Sequence, residues 1–68
     1  MAGTYKKIEI VGTSPDSFAD AVKNAVKEAS KSIRKMSWFE VVEQRGAIKD
    51  GKVLEFQVTI RVGFKIES

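Results

Sequence analysis

The C-terminal part of the chain alternates between apolar and polar residues without a break, in the segment VLEFQVTIRVGFKI that begins at Val53. Because successive side chains of a strand point to opposite faces of a sheet, this pattern predicts one long strand with one apolar face. The apolar residues are Leu54, Phe56, Val58, Ile60, Val62, Phe64 and Ile66. The 14 residues of the segment would span roughly 46 Å, far more than a usual strand, so this face needs an extensive cover.

A turn at Asp50-Gly51 precedes this strand, and both residue types tolerate the positive φ values of a two-residue type I′ hairpin. The segment WFEVVEQRGAI before the turn is therefore predicted to be the antiparallel partner strand. Centring the hairpin on the turn predicts these cross-strand pairs: Ile48 with Val53, Gln44 with Gln57, Val42 with Thr59, Glu40 with Arg61, and Trp38 with Gly63. A bulge near Val41 and Val42 would change the side of the sheet on which the following residues lie.

The N-terminal segment YKKIEIV also alternates and predicts a first strand from about Tyr5 to Val11. The segment GTSPDS that follows is typical of a turn and of a helix start. Pro15 has a fixed φ that suits the first turn of a helix. Ser14 or Asp16 can accept hydrogen bonds from the first amides of that helix, so one of them is expected to cap it.

Apolar residues recur every three or four positions from Ser17 to about Met36, which predicts a helix roughly 30 Å long. The apolar stripe consists of Phe18, Ala21, Val22, Ala25, Ala29, Ile33 and Met36. Its small alanines allow close approach to a sheet. The basic residues fall mostly around the opposite side of this helix, and they are Lys23, Lys27, Lys31, Arg34 and Lys35.

The predicted order is β-α-β-β, an α+β fold in which a three-stranded antiparallel sheet curls around one helix. The long last strand is expected in the centre, because the first strand can pair only with a free edge. Residues 1–68 are expected to form a single domain. The last strand outruns the helix, so the apolar face around Leu54 and Phe56 is predicted to lack a cover from its own chain. This predicts association with further copies of the chain.

A chain of 68 residues lies near the lower size limit for folding on its own core, so a further source of stability is expected. The absence of cysteine and histidine excludes disulfides, cysteine nucleophiles, and the commonest metal ligand and general base. Oligomerisation remains as the expected source of this additional stability. The net charge of +3 suits phosphate-bearing partners but does not establish nucleic-acid binding. No apolar run is long enough to cross a membrane and no signal region is visible, so a cytoplasmic protein is expected.

Trp38, the chain's single tryptophan, is predicted to lie on the polar face of the sheet, opposite Gly63. Glycine opposite tryptophan predicts a shallow slot. The indole could anchor a contact between subunits, or it could be a stacking platform for a planar ligand. Gln57 shares this face but lies about six residues along the hairpin, roughly 20 Å away. A ligand that touches both would therefore need them from different subunits.

Several short motifs occur in one order over nearly the whole chain: VGTS in the first turn, WFEV at the start of the second strand, then RG, and finally QVT and VGF in the last strand. In this combination the chain resembles the bacterial dodecins. The resemblance implies a β-α-β-β fold that assembles into hollow dodecamers. It also implies that flavins bind in stacked pairs between tryptophans of neighbouring chains, for storage, buffering or protective quenching and not for catalysis.

The resemblance also implies roles for individual positions. Trp38 matches the stacking tryptophan, Gln57 the glutamine that hydrogen-bonds the isoalloxazine, and Arg45 the arginine close to the bound flavin. Lys65 stands where relatives often carry arginine, which keeps the charge but loses the planar fork. Ala47 stands where many bacterial relatives carry histidine. The implied cofactor is FMN, with riboflavin and FAD as alternatives, and the two basic side chains could neutralise its phosphate.

The residues leave alternatives open at this point. Arg45 could instead form an ion pair between subunits with Glu43 or Glu55, and Gln44 could read the flavin edge in place of Gln57. The expected partners are further copies of the chain, as a homododecamer, and a flavin. The lysine-rich helix face is expected to be solvated or to contact phosphate groups, including those of coenzyme A.

Two other function classes find less support. A structural module, or a small basic nucleic-acid-binding module without flavin, is the alternative, but the chain has no GXXG clamp, no aromatic pair typical of RNA-binding sheets and no arginine-rich tract. Neither nucleic acid nor a membrane is therefore expected as a partner. No enzyme activity is predicted, because Glu40 and Glu43 have no histidine, cysteine or metal partner that would shift their pKa values.

Overall fold

The computed structural model describes residues 3–66, so the first two and last two residues of the predicted domain lie outside the described part of the chain. The order of elements is β1 (Tyr5–Ser14), α1 (Phe18–Ala29), β2 (Met36–Lys49) and β3 (Lys52–Lys65). The three strands form one antiparallel sheet in the order β1-β3-β2. The predicted β-α-β-β topology with the last strand in the centre is confirmed.

The first strand is longer than the alternation predicts. It continues three residues beyond Val11, because its pairing with β3 extends to the pair Ser14–Phe56. The helix cap is also not one of the predicted residues. Ser17 caps α1, and its hydroxyl accepts a hydrogen bond of 3.0 Å from the Asp20 amide. The Ser14 hydroxyl instead holds the turn before the helix, since it accepts from a backbone amide two residues later at 2.9 Å.

The helix is shorter than its apolar periodicity predicts. The pattern indicates a helix from Ser17 to about Met36, whereas α1 ends at Ala29 and is about 18 Å long. The Lys31 amide donates to a carbonyl oxygen only three residues earlier, at 3.2 Å, which tightens the chain into a turn. Lys35 then adopts a left-handed φ of 59°, which no helix can accommodate, and the next residue begins β2.

The core lies between α1 and the two strands β1 and β3. The buried alanines of the helix, Ala21 and Ala25, pack on buried valine and isoleucine side chains in the middle of β3. Gly12 in β1 allows this close approach. A Cβ atom there would lie 2.7 Å from the Ala25 Cβ and closer still to the Ala21 carbonyl oxygen. The backbone of β1 therefore lies directly against the helix.

The helix leaves the β2 side of the sheet uncovered. Phe39 and Val41 pair with core residues of β3, yet 49% and 46% of their surfaces are exposed. At the far end of the hairpin, Leu54 is 56% exposed, as its position beyond the helix predicts. The same expectation was wrong for Phe56, which packs edge-on against Phe18 with a ring-centroid distance of 4.9 Å. Phe39, Val41 and Leu54 therefore have little cover from the described part of the chain.

The hairpin register matches the prediction at its two ends and differs in its middle. Val42 is an extra residue on β2, because its neighbours Val41 and Glu43 pair with consecutive residues of β3. Leu54 is the compensating extra residue on β3. Between these two bulges every pair moves by one position, so the predicted pairs Gln44–Gln57 and Val42–Thr59 are wrong. The pairs Ile48–Val53, Glu40–Arg61 and Trp38–Gly63 are confirmed.

We predict that Gly12→Ala destabilises the fold by about 1–3 kcal/mol, because the new methyl group overlaps the helix backbone and forces α1 away from β1. The midpoint of chemical denaturation, measured at one fixed protein concentration, gives this change. Gly3→Ala is the matched control, since a Cβ there would lie 3.4 Å from the flexible end of Lys65. Equal midpoints for the two variants would contradict this account of the helix contact.

Candidate functional site

The face of the sheet turned away from α1, called the outer face below, carries all four residues proposed from the sequence as a ligand site. The bulge at Val42 decides this for Arg45 on β2. With Val42 as an extra residue, Arg45 pairs with Gln57 and Glu43 pairs with Thr59. In the unbulged register Arg45 would lie on the helix side of the sheet. The outer face therefore has two ends, one around Trp38 and one around Gln57.

At the tryptophan end, defined by Trp38, Gly63, Tyr5 and Lys65, the indole lies directly on the backbone of the central strand. A Cβ atom on Gly63 would lie 2.6 Å from Cη2 of the indole and closer still to Cε2 and Cζ2. Gly63 is consequently buried while Trp38 remains 42% exposed. The indole itself lies in the shallow space that is predicted opposite the tryptophan, because Gly63 has no side chain there. The glycine makes the indole lie flat on the sheet with surface left for another molecule.

Tyr5 completes this end, and the sequence reasoning did not identify it. Its ring lies 5.2 Å from that of Trp38 at an interplanar angle of 54°. Tyr5 pairs with Lys65 at the end of β3, so the aromatic pair and an exposed ammonium group lie in adjacent rows. The signal that could have found it is parity: once β1 pairs with β3, alternate residues from Tyr5 onward must share the outer face.

Two ion pairs border the tryptophan end. Lys7 reaches across the central strand to Glu40, next to the residue pair Trp38–Gly63, and Arg61 donates from Nε to Glu9 at 3.0 Å. The hydrogen bond from Lys7 holds the pKa of the Glu40 carboxyl below its ordinary value of 4.5, and the charges of Lys7 and Arg61 act in the same direction. The charges in this row are therefore largely paired with one another before any ligand arrives.

At the glutamine end, defined by Gln57, Arg45 and Glu55, the side chains form one hydrogen-bonded chain. Arg45 donates from Nε to Gln57 Oε1 at 2.7 Å, and Gln57 donates from Nε2 to Glu55 Oε2 at 2.7 Å. Arg45 Nη1 also lies 3.9 Å from Glu43 Oε1. The ion pair expected between subunits thus has a counterpart within one chain. Gln44 pairs with Val58, a core residue, so it does not share this row.

The two ends are separated along the central strand. Gln57 and Gly63 are six positions apart on β3, and Trp38 pairs with Gly63, so the indole and the amide are roughly 20 Å apart. Lys65 belongs to the tryptophan end and Arg45 to the glutamine end. One chain therefore presents these four residues as two separate half-sites on one face.

An apolar groove also lies between α1 and β2. Its volume is about 600 Å³, and it is lined by Ala19, Val22, Lys23, Val26, Lys27 and Phe39. Within residues 3–66, no three aspartate, glutamate, histidine or cysteine side chains come together as a metal site. The same range contains no helix of the length and apolarity needed to cross a membrane.

Comparison with known proteins adds to this geometry. The sequence profile of the dodecin family matches residues 4–67. The chain belongs to the dodecin family. The dodecin of Thermus thermophilus is 45% identical over 67 residues, which cover 98% of this chain and 97% of that relative. The structure of dodecin from Streptomyces coelicolor matches with a TM-score of 0.94 at 50% identity, covering 97% of this chain and 94% of that chain. The resemblance seen in the motifs is confirmed.

The family also contains a relative that is named for a ligand. The calcium dodecin of Mycobacterium tuberculosis is 34% identical over 62 residues, covering 91% of this chain and 87% of that relative. Its crystal structure has a calcium-binding site and matches this dodecin chain with a TM-score of 0.83 at 35% identity, covering 94% and 91% of the two chains. Membership in the family therefore supports binding of a small ligand in general.

We predict that Gly63→Ala displaces the indole, because the new methyl group would occupy the position of the Trp38 ring. The emission of Trp38, the chain's single tryptophan, should shift and become more sensitive to acrylamide. Gly46→Ala is a matched control on the neighbouring strand, where the nearest atom to a Cβ is the Glu55 carbonyl oxygen at 3.1 Å. Unchanged Trp38 emission in Gly63→Ala would show that the indole does not lie on this glycine.

We predict that Lys7→Gln raises the pKa of Glu40 toward 4.5, because the variant loses the positive charge of Lys7 and the charge-assisted hydrogen bond that it donates. A lowered pKa in the folded state stabilises the protein above pH 4.5, and this contribution is lost as the pH falls through the folded-state pKa. The variant should therefore lose less stability on acidification. Carboxyl-carbon NMR titration measures the pKa directly. Lys6→Gln removes the same charge from the opposite face of β1 and should leave the Glu40 pKa unchanged.

Proposed function

We propose that this dodecin binds flavin without catalysing a reaction, in a site that is complete only between copies of the chain. The observation that supports this most is the Trp38 indole, which lies flat on Gly63 and keeps 42% of its surface exposed. The exposed face of the indole can take a planar ligand, because offset stacking of aromatic rings is favourable. FMN is the proposed ligand, with riboflavin and FAD as alternatives.

The chemistry of the two half-sites matches the two parts of a flavin ring. The isoalloxazine is flat and electron-poor, and stacking on an indole contributes roughly 0.5–1.5 kcal/mol beyond the buried area. The indole can also donate an electron to an excited flavin, which quenches it without a product. Gln57 suits the other end of the ring, since an amide both donates and accepts and can pair with the neighbouring imide N–H and carbonyl groups. Storage with protective quenching is the proposed role.

The separation of the half-sites is the reason for proposing a shared site. About 20 Å divides Trp38 from Gln57 along one chain, which exceeds the reach of a single ring system. The apolar residues that the chain leaves exposed are suited to contact with other copies, and they include Phe39, Val41, Ile48, Val53 and Leu54. A homododecamer, in which flavin pairs stack between tryptophans of neighbouring chains, is the proposed assembly.

The basic residues of the two ends are proposed to favour a phosphorylated flavin. Lys65 is exposed beside Tyr5, and Arg45 lies beside Gln57. Either the ammonium group of Lys65 or the guanidinium group of Arg45 could pair with the FMN phosphate once copies of the chain assemble. The lysines of α1 could contact the phosphates of coenzyme A. A cytoplasmic location is part of the same proposal.

The test is a titration of the purified protein with riboflavin and FMN, followed by the emission of the flavin. Wild-type protein should quench the emission with saturable binding. Trp38→Leu should weaken binding by roughly tenfold or more, because the stacking surface is lost. Trp38→Phe, which keeps a smaller ring, should give an intermediate affinity. Sedimentation of each variant is the control for assembly.

Unquenched flavin at micromolar wild-type protein, or equal affinity of all three proteins, would contradict the proposed function. A sedimentation coefficient of a monomer would contradict the shared site. A parallel titration with calcium alone covers the ligand for which the calcium dodecin is named. Calcium binding without flavin binding would replace the proposal, although residues 3–66 bring no three acidic side chains together within one chain.

A further inference from the structure

We propose that Glu55 is a positioning residue, which fixes the orientation of the Gln57 amide and so determines which way round a ligand edge must approach it. The inference rests on the proposed function only for the identity of the ligand. The hydrogen bonds that support it are made by side chains within one chain. Glu55 and Gln57 are two residues apart on β3, so their side chains are neighbours on the outer face.

The partners of Gln57 allow only one orientation of its amide. Arg45 Nε can only donate, so the group 2.7 Å away from it must be the amide oxygen. The Glu55 carboxylate can only accept, so the group 2.7 Å away from it must be the amide nitrogen. A flipped amide would place two donors against each other on one side and two acceptors on the other. The donor-only and acceptor-only neighbours therefore act together as a lock.

The locked amide still has capacity for a ligand. Its nitrogen carries two N–H donors, one of which donates a hydrogen bond to Glu55. Its oxygen has two lone pairs, one of which accepts the hydrogen bond from Arg45. The remaining donor lies on the Glu55 side and the remaining acceptor on the Arg45 side. A ligand edge with adjacent N–H and C=O groups can satisfy both only with its N–H on the Arg45 side and its C=O on the Glu55 side. An imide edge, such as that of a flavin, meets this requirement with either of the two carbonyl groups that flank its N–H.

The residue opposite Glu55 on β2 does not compete with Gln57 for the Glu55 carboxylate. Glu55 is half-buried and pairs with Ala47, whose methyl side chain has no donor to compete for the carboxylate. Within residues 3–66, Gln57 is the hydrogen-bond partner of Glu55, while Glu43 lies on the other side of Arg45, 3.9 Å from Nη1. Glu43 therefore carries the same charge on the same face without touching the amide.

The experiment compares two probes, riboflavin and 3-methylriboflavin, which lacks the imide proton. Wild-type protein should bind riboflavin more tightly. In Glu55→Ala the ratio of the two affinities should fall by roughly three- to tenfold, because Arg45 alone then holds the amide and the preference for a ligand donor weakens. Glu55→Gln keeps an acceptor and the side-chain volume and should reduce the ratio less. Glu43→Gln is the matched control and should leave the ratio unchanged.

A second readout needs no ligand. The chain contains only two glutamines, Gln44 and Gln57, so glutamine-selective ¹⁵N labelling resolves their side-chain amide signals. The Gln57 signals should move toward those of the exposed Gln44 in Glu55→Ala and stay in place in Glu43→Gln. This readout tests the lock even if the wild-type protein fails to bind riboflavin, which would contradict the proposed function alone.

Three results would overturn the inference. The first is a Gln57 amide signal that is the same in wild type and in Glu55→Ala. The second is an equal loss of affinity for both probes in Glu55→Ala, which would indicate a general change of the surface. The third is a matching fall of the ratio in Glu43→Gln, which would indicate that the charge of the face acts and not the hydrogen bond to Gln57.

Discussion

One extra residue in β2 decides the arrangement of the outer face. Val42 is inserted opposite the central strand, so the residues that follow it change sides while those before it do not. Trp38 remains on Gly63, and Arg45 moves into the row of Gln57. In a regular hairpin Arg45 would point toward the helix side of the sheet, and its hydrogen bond to the amide could not form. The chemistry of the glutamine end thus depends on a local defect in the strand pairing.

Two glycines set the closest approaches on the two faces of the sheet. Gly12 in β1 admits the backbone of α1 on one face, and Gly63 in β3 admits the indole of Trp38 on the other. In both places a single methyl group would overlap atoms already present. At these two positions the sheet has no side chain, so α1 on one face and the Trp38 indole on the other can contact its backbone directly. The long strand β3 contributes to both, since its core residues alternate with those of the outer face.

The topology, the central position of β3 and the sharing of one face by Trp38 and Gln57 were predictable, because alternation and the Asp50-Gly51 turn are strong local signals. The end of the helix was not. Ile33 and Met36 continue the three-and-four spacing by chance, one from the turn and one from the start of β2. The bulge was foreseen only as an alternative. Adjacent apolar residues on an edge strand leave open which of them faces the core.

The polar groups of the outer face are already engaged with one another, and this limits what a ligand can use. Arg45 donates a hydrogen bond from Nε to Gln57, and Glu43 lies near its Nη1 atom. Within a single chain the guanidinium group is therefore already engaged with these two side chains. A phosphate that recruited this guanidinium would compete with those contacts. Lys65 is exposed at the other end of the face, away from the hydrogen-bonded side chains of the glutamine end. Within one chain, the Gln57 amide that is proposed to bind a ring edge and the exposed ammonium group of Lys65 therefore lie at opposite ends of the sheet.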